Sequence, residues 1–153
     1  MNRLINRQFL KGYHEALNVS HEAAIGHKHH LDIANINANN NTNYVAVRTI
    51  AMQKHLTSTG VISGGWLMSQ MDIAGAILAW DIIKRPIFTV ACEHIQFHKA
   101  VLSGDLVSFY PNLIKKNNTS IEVFVDGKIR RPPAGEDRQV ITGTFIYVPI
   151  NKE

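Results

Sequence analysis

Asp72 stands in "SGGWLMSQMDIAGAILAW" (Ser63–Trp80), a run otherwise almost wholly apolar or small between its two tryptophans. A carboxylate taken out of water costs several kcal/mol, as an order of magnitude, unless it is hydrogen-bonded. Such a residue is either satisfied by its surroundings, for example by a partner subunit's amides, or kept for chemistry. Seven positions earlier, Gly64 and Gly65 open the same run. The N–H groups of Gly64, Gly65 and Trp66 at a helix start have no intrahelical acceptor, and with the helix dipole they suit a polarised carbonyl or an oxyanion. A base or nucleophile together with an oxyanion donor is the equipment for acyl transfer. On one helix the two are about 10 Å apart and cannot meet. Two antiparallel copies bring Asp72 of one subunit towards Gly65 of the other, which predicts a site shared within a dimer.

The element carrying them is a helix that is apolar nearly all round, so it is expected to be buried on nearly every side. A membrane span is not expected, because Gln70, Asp72 and Asp81 interrupt the run and strands flank it. Steps of three and four place Gly65, Ser69, Asp72, Ala76 and Ala79 on one narrow face of small residues, with Trp66, Leu67, Met71, Ile77 and Leu78 towards a sheet. Strands are expected in "YVAVRTIAM" before the helix and in "IFTVACEHIQF", "DLVSFYPNLI", "SIEVFVD" and "VITGTFIYV" after it, separated by "SGD", "KNNT" and "RRPPAGED". One helix followed by consecutive strands predicts an α+β layer with an antiparallel sheet, not alternating βαβ units.

The chain of 153 residues has room for one such domain. Residues 1–43 read differently. Leu10, Tyr13 and Leu17 form only a weak helical face, "NINANNNTN" is a polar linker, and five of the eight histidines fall here. The cluster His27, His29 and His30 has no carboxylate or cysteine at ligand spacing, so no metal is expected. We therefore read 1–43 as an extension, partly flexible, and 44–153 as the domain. The net charge of +4 fits anionic small molecules and is too mild to argue for nucleic acid. The lone Cys92 reads as an inert buried thiol, and with Arg3, Arg7, Lys11 and Glu15 breaking the apolar runs at the start, a cytoplasmic setting is expected.

"RTIAM", "GGWLMSQMDIAGAILA" and "TVACEHIQFHKAVLSGDLV" together resemble the hotdog-fold acyl-CoA thioesterases of the bacterial YciA type, over about Arg48 to Val148. The Gly-Gly-Trp-Leu-Met-Ser-Gln-Met-Asp run carries most of the likeness. The resemblance implies a hotdog fold, with an antiparallel sheet wrapped around one long central helix. It also implies homodimers assembling to a hexamer, a trimer of dimers, and hydrolysis of acyl-CoA without a required cofactor. In it Asp72 matches the catalytic carboxylate, acting from one subunit on a thioester held by the other. Relatives commonly carry Asn at the position of Thr57, and Asp or Asn at that of Val61. A threonine hydroxyl is still able to orient a water.

The expected catalytic set is thus Asp72, Thr57 and Gly65, with Asp72 as general base or nucleophile. For coenzyme A the chain offers Lys115, Lys116, Asn118, Thr119 and Ser120, then Arg130 and Arg131, with Arg138 beyond, since cations and hydroxyls suit phosphates and a pantetheine arm. His94 and His98 read as surface or satisfied histidines. The alternative is a hotdog protein that binds acyl-CoA with little or no turnover; a dehydratase would need a histidine on the helix or on a strand facing the acyl β-carbon, and the helix has none.

Overall fold

The computed structural model describes residues 44–133 and 135–150. The extension, with His27, His29 and His30, lies outside the described residues. The elements are β1 (Val47–Ile50), a short 3-10 turn (Gln53–His55), α1 (Gly64–Ile83), β2 (Ile87–Phe97), β3 (Leu106–Lys116), β4 (Ile121–Arg130) and β5 (Arg138–Pro149). The strands form one antiparallel sheet in the order β1-β3-β4-β5-β2. α1 packs across it, touching every strand. This is the predicted antiparallel α+β layer around one long helix.

The sheet outruns the sequence reading at β4, which was expected to end at Asp126. Gly127, just past that end, is a packing residue: a Cβ there would stand 2.6 Å from Ile141 and 3.0 Å from the Phe109 ring. A bare backbone lets the strand pass under that ring and continue to Arg130. α1 ends at Lys84, which takes the left-handed conformation (φ 56°) and returns its N–H to the Trp80 carbonyl, with Pro86 two residues on.

The helix is seated differently from the expected face. Leu67, Met71, Ala74, Gly75, Leu78 and Ala79 are buried against the sheet, beside Phe109, Val123, Val125, Ile141 and Tyr147. Leu67, Met71 and Leu78 were placed correctly. Ala79 turns inward, whereas Ile77 turns out and Trp66 is half-buried, stacked on His55 at 4.3 Å between ring centroids. The open face runs Gly65, Ser69, Ile73, Ile77 and Trp80, so it is not a stripe of small residues, and the helix is not enclosed on every side of the single chain. A helix with apolar residues all round gives its sequence no preferred inner face; the sheet chooses one through Gly75, where Tyr147 packs against the backbone.

Among the described residues β2 is an edge strand, hydrogen-bonded only to β5, with Phe88, Val90 and Phe97 each more than half exposed. Cys92 lies on it and is exposed, which corrects the expectation of a buried thiol: an apolar run on a sheet edge has a side without cover.

Candidate active site

Gly75 and Tyr147 bear directly on Asp72. Because residue 75 has no side chain, the Tyr147 ring reaches the helix, and its hydroxyl donates to the Asp72 carbonyl oxygen at 2.9 Å. Burial, and then the negative charge of Asp72, hold this phenol well above its ordinary value, so it is neutral at working pH. The turn bearing Asp72 is thereby pinned to β5.

The Asp72 side chain is half-buried at the border of the open helix face. Its Oδ1 accepts a hydrogen bond from the Thr89 hydroxyl of β2 at 2.6 Å. That bond fixes one carboxylate oxygen and leaves the other for a water or a carbonyl carbon. Thr89 sits just before a register shift between Thr89 and Ala91, which re-aims side chains at that point of the edge strand. Sequence reasoning missed Thr89, since a threonine in a β-strand run carries no signal of its own; only the packing of α1 against β2 brings it to Asp72.

Gly65 lies at the start of α1, exposed, with the Ser63 hydroxyl 3.6 Å from where a Cβ would stand. Ser63 precedes the helix but its hydroxyl makes no cap, and the first amide to close a turn is Leu67, donating to Ser63 at 3.2 Å. The amides of Gly64, Gly65 and Trp66 are left as donors for a ligand or solvent. Beside them a cavity of about 290 Å3 is walled by Val61, Ile62, Leu67, Phe97 and Val101. The Phe97 ring lies 3.0 Å from where a Cβ of Gly64 would stand.

Thr57 is spoken for locally. Its hydroxyl donates to the Val61 carbonyl at 3.0 Å and meets the Thr59 hydroxyl at 2.8 Å, inside a turn closed by the Thr57 and Gly60 amides. Thr57 and Asp72 make no hydrogen bond to each other within the chain, each having its own partner. Thr57 and Gly65 belong to the helix-start end of the molecule, whereas Asp72 sits two turns along.

The coenzyme candidates fall into two groups at opposite ends of β4. Lys115 and Lys116 end β3, and Asn118, Thr119 and Ser120 belong to the turn that follows, near the end of α1, with Asn117 bonded to Ser120 through amide and side chain. Lys116, Asn118 and Ser120 line a cavity of about 80 Å3 together with Ile83, Arg85, Asn117 and Pro149. Arg130 and Arg131 are at the other end, with Arg138 starting the neighbouring strand. Arg131 holds the buried Asp105 with two bonds of 2.6 and 2.7 Å, and Arg130 pairs with Asp137 at 3.0 Å. Arg131 is thereby engaged in closing the fold through two donors and Arg130 through one. His94 is exposed, at a bulge with φ 53°, and His98 bonds the Thr142 hydroxyl at 2.9 Å.

Residues 59–133 match the model of the thioesterase superfamily. An uncharacterized acyl-CoA thioester hydrolase of Buchnera aphidicola is 40% identical over 111 residues, covering 71% of this chain and 82% of the relative. The acyl-CoA thioester hydrolase YciA of Salmonella typhimurium is 38% identical over 112 residues, 71% of this chain and 84% of its own. Among solved structures, a hexameric hotdog-fold thioesterase of Campylobacter jejuni superposes with a TM-score of 0.68 at 29% identity, over 72% of this chain and 86% of that one.

Proposed function

Since the chain belongs to the acyl-CoA thioester hydrolase family of the thioesterase superfamily, and its fold is the hotdog, we propose that it hydrolyses acyl-CoA to free acid and coenzyme A in a site shared between subunits. The observation that carries this reading is the Asp72 carboxylate, held at one oxygen by Thr89 and set at the border of an open helix face. In a second, antiparallel copy the Gly65 amides come opposite that face. The amides polarise the thioester carbonyl, and Asp72 either takes a proton from water or attacks the carbonyl carbon. By the first route the activated water adds to the carbonyl carbon and expels the coenzyme thiolate to give the acid; by the second, attack expels the thiolate and leaves an acyl anhydride on Asp72, which a water then hydrolyses to the acid and free Asp72. The hollow beside Gly64, apolar on the side of Val61, Ile62, Leu67, Phe97 and Val101 and lined also by His98 and Lys99, suits the acyl group.

The exposed Ile73, Ile77 and Trp80 on α1 and Phe88 and Val90 on β2 favour the shared site, because a second copy would cover them. The hexameric Campylobacter relative supports homodimers assembled to a hexamer. Lys115, Lys116, Asn118, Thr119 and Ser120 are the coenzyme-binding candidates with uncommitted donors. Arg130 and Arg131 serve Asp137 and Asp105 and are the weaker candidates.

Thiol release from a panel of acyl-CoA substrates tests the activity. Asp72→Asn keeps shape and should lower kcat roughly a hundredfold or more while coenzyme binding and assembly persist. An Asp72→Asn protein that is folded, assembled and as fast as the native one would falsify the assignment. The engagement of the Thr57 hydroxyl within its own turn supports a second reading, an acyl-CoA-binding protein with little turnover. Stoichiometric coenzyme binding without thiol release from any of the panel would establish it.

A further inference from the structure

The hollow of about 290 Å3 at the start of α1 is not lined alike all round. Val61, Ile62, Leu67, Phe97 and Val101 give it apolar walls and Gly64 brings the helix start to it, while His98 and Lys99 enter from the segment that follows β2. That segment is tied to β5. The His98 and Lys99 amides both donate to the Val140 carbonyl, at 2.8 and 3.4 Å, and the His98 ring shares a hydrogen bond of 2.9 Å with the Thr142 hydroxyl. Backbone bonds therefore set the place of Lys99 beside the hollow. Among the described residues Lys99 makes no ion pair, unlike Lys84, Lys128, Arg130 and Arg131, and no carboxylate lines the hollow. The positive end of the α1 dipole adds to the charge of the ammonium. A cation without a counter-ion beside apolar walls selects a chain that is apolar along its length and anionic at its end.

Resting on the reading of the chain as an acyl-CoA thioesterase, we infer that it prefers acyl groups ending in a carboxylate, the mono-CoA thioesters of short dicarboxylic acids, and that Lys99 is the residue that selects them. An acyl group whose carbonyl lies at the amides of Gly64 and Gly65 has its tail in the hollow that Lys99 lines. The volume falls at the small end of the roughly 300–1,000 Å3 of ligand pockets, which suits a short chain and not a long fatty tail. Methylenes of such a chain meet the apolar walls, as those of a plain fatty acyl group would. The terminal carboxylate adds a charge-assisted hydrogen bond to the ammonium, which a methyl end cannot make. Without that cation, a carboxylate entering apolar surroundings would lose hydration uncompensated, so Lys99 decides the sign of the preference. A methyl-ended tail still fits, because the exposed ammonium then keeps its water.

Thiol release from glutaryl-CoA and adipyl-CoA, set against pentanoyl-CoA and hexanoyl-CoA of equal carbon count, measures the preference. For the native protein kcat/KM should be at least about tenfold higher with the dicarboxylic members, mainly through KM, the worth of one hydrogen bond between charged groups. In Lys99→Met, which keeps the stem and drops the charge, that ratio should fall to one or below. Lys99→Arg should keep most of it, and Lys99→Glu should reverse it. Calorimetric titration of free coenzyme A separates the tail from the coenzyme. A folded Lys99→Met protein that keeps the ratio but loses affinity for free coenzyme A puts Lys99 on the coenzyme phosphates and overturns the inference. A ratio unchanged in that protein with coenzyme affinity intact, or native turnover of the methyl-ended chains as fast as of the dicarboxylic ones, overturns it equally. Each of these results leaves the thioesterase reading standing. Absence of thiol release from any acyl-CoA overturns that reading, and the inference with it.

Discussion

Among the described residues Asp72 has one side-chain partner, and that partner is a neutral hydroxyl. A hydrogen bond from Thr89 at 2.6 Å orients the carboxylate while leaving its charge available, which is what either a base or a nucleophile requires. Thr89→Val keeps the β-branched shape and removes the bond, so kcat should fall about tenfold, the worth of one hydrogen bond to a charged group, with KM little changed. Steady-state thiol release checks it, and Thr89→Ser should restore most of the loss. Thr57 tests the other departure. Thr57→Asn should raise turnover when Asp72 is present and do little in an Asp72→Asn background, because groups acting on one water are non-additive. Additive effects in that double-mutant cycle would separate Thr57 from the chemistry.

Among the elements, α1 and β5 are joined at Gly75, where Tyr147 fills the space a side chain would take. Gly75→Ala should force the ring back, break its bond to the Asp72 carbonyl and cost about 1–3 kcal/mol. Denaturant unfolding measures the loss, and activity should fall further than stability because the Asp72 turn shifts. At the other end, Arg131 ties β4 to the loop before β3 through buried Asp105. Burial alone would raise the carboxyl of Asp105, but the Arg131 hydrogen bonds, the Leu102 amide and the guanidinium charge outweigh it and hold it below the usual carboxylate range. A depressed folded-state value means the carboxylate stabilises the fold above about pH 3.9, and that this is lost as pH falls through the lower folded value. The stability gap between native protein and Asp105→Asn should therefore narrow in acid. Urea titrations at neutral pH and below pH 4 read it directly.

The whole molecule has an unfinished look only as a single chain. Ile73, Ile77, Trp80, Phe88 and Val90 expose apolar surface on one helix face and one sheet edge, the two places an antiparallel dimer would close. Light scattering should give the mass of six chains, and Ile73→Glu should lower it and abolish turnover together if, as proposed, each site draws on two subunits. A stable monomer with native activity would sink the shared site. Free coenzyme A should raise the melting temperature by mass action, less so in Lys115→Gln/Lys116→Gln. No shift at millimolar coenzyme would count against those lysines and the ligand alike.

Much of this was legible in the sequence because it depends on local pattern. A long apolar run opened by two glycines, followed by strand-like segments punctuated by turn residues, fixes one helix and its antiparallel sheet, and a carboxylate stranded in that run marks itself as the residue to explain. What the sequence left open is everything decided by which surfaces meet. Apolar residues on all sides of α1 do not say which face is inner, so Ile77 and Ala79 were exchanged until Gly75 and Tyr147 set the helix on the sheet. A strand's order in the sheet is invisible along the chain, so Cys92 on an edge read as buried. Thr89, seventeen residues from Asp72, meets it only through the packing of two elements remote in the chain. Residue type and spacing name the chemistry; the tertiary packing alone chooses the partners that aim it.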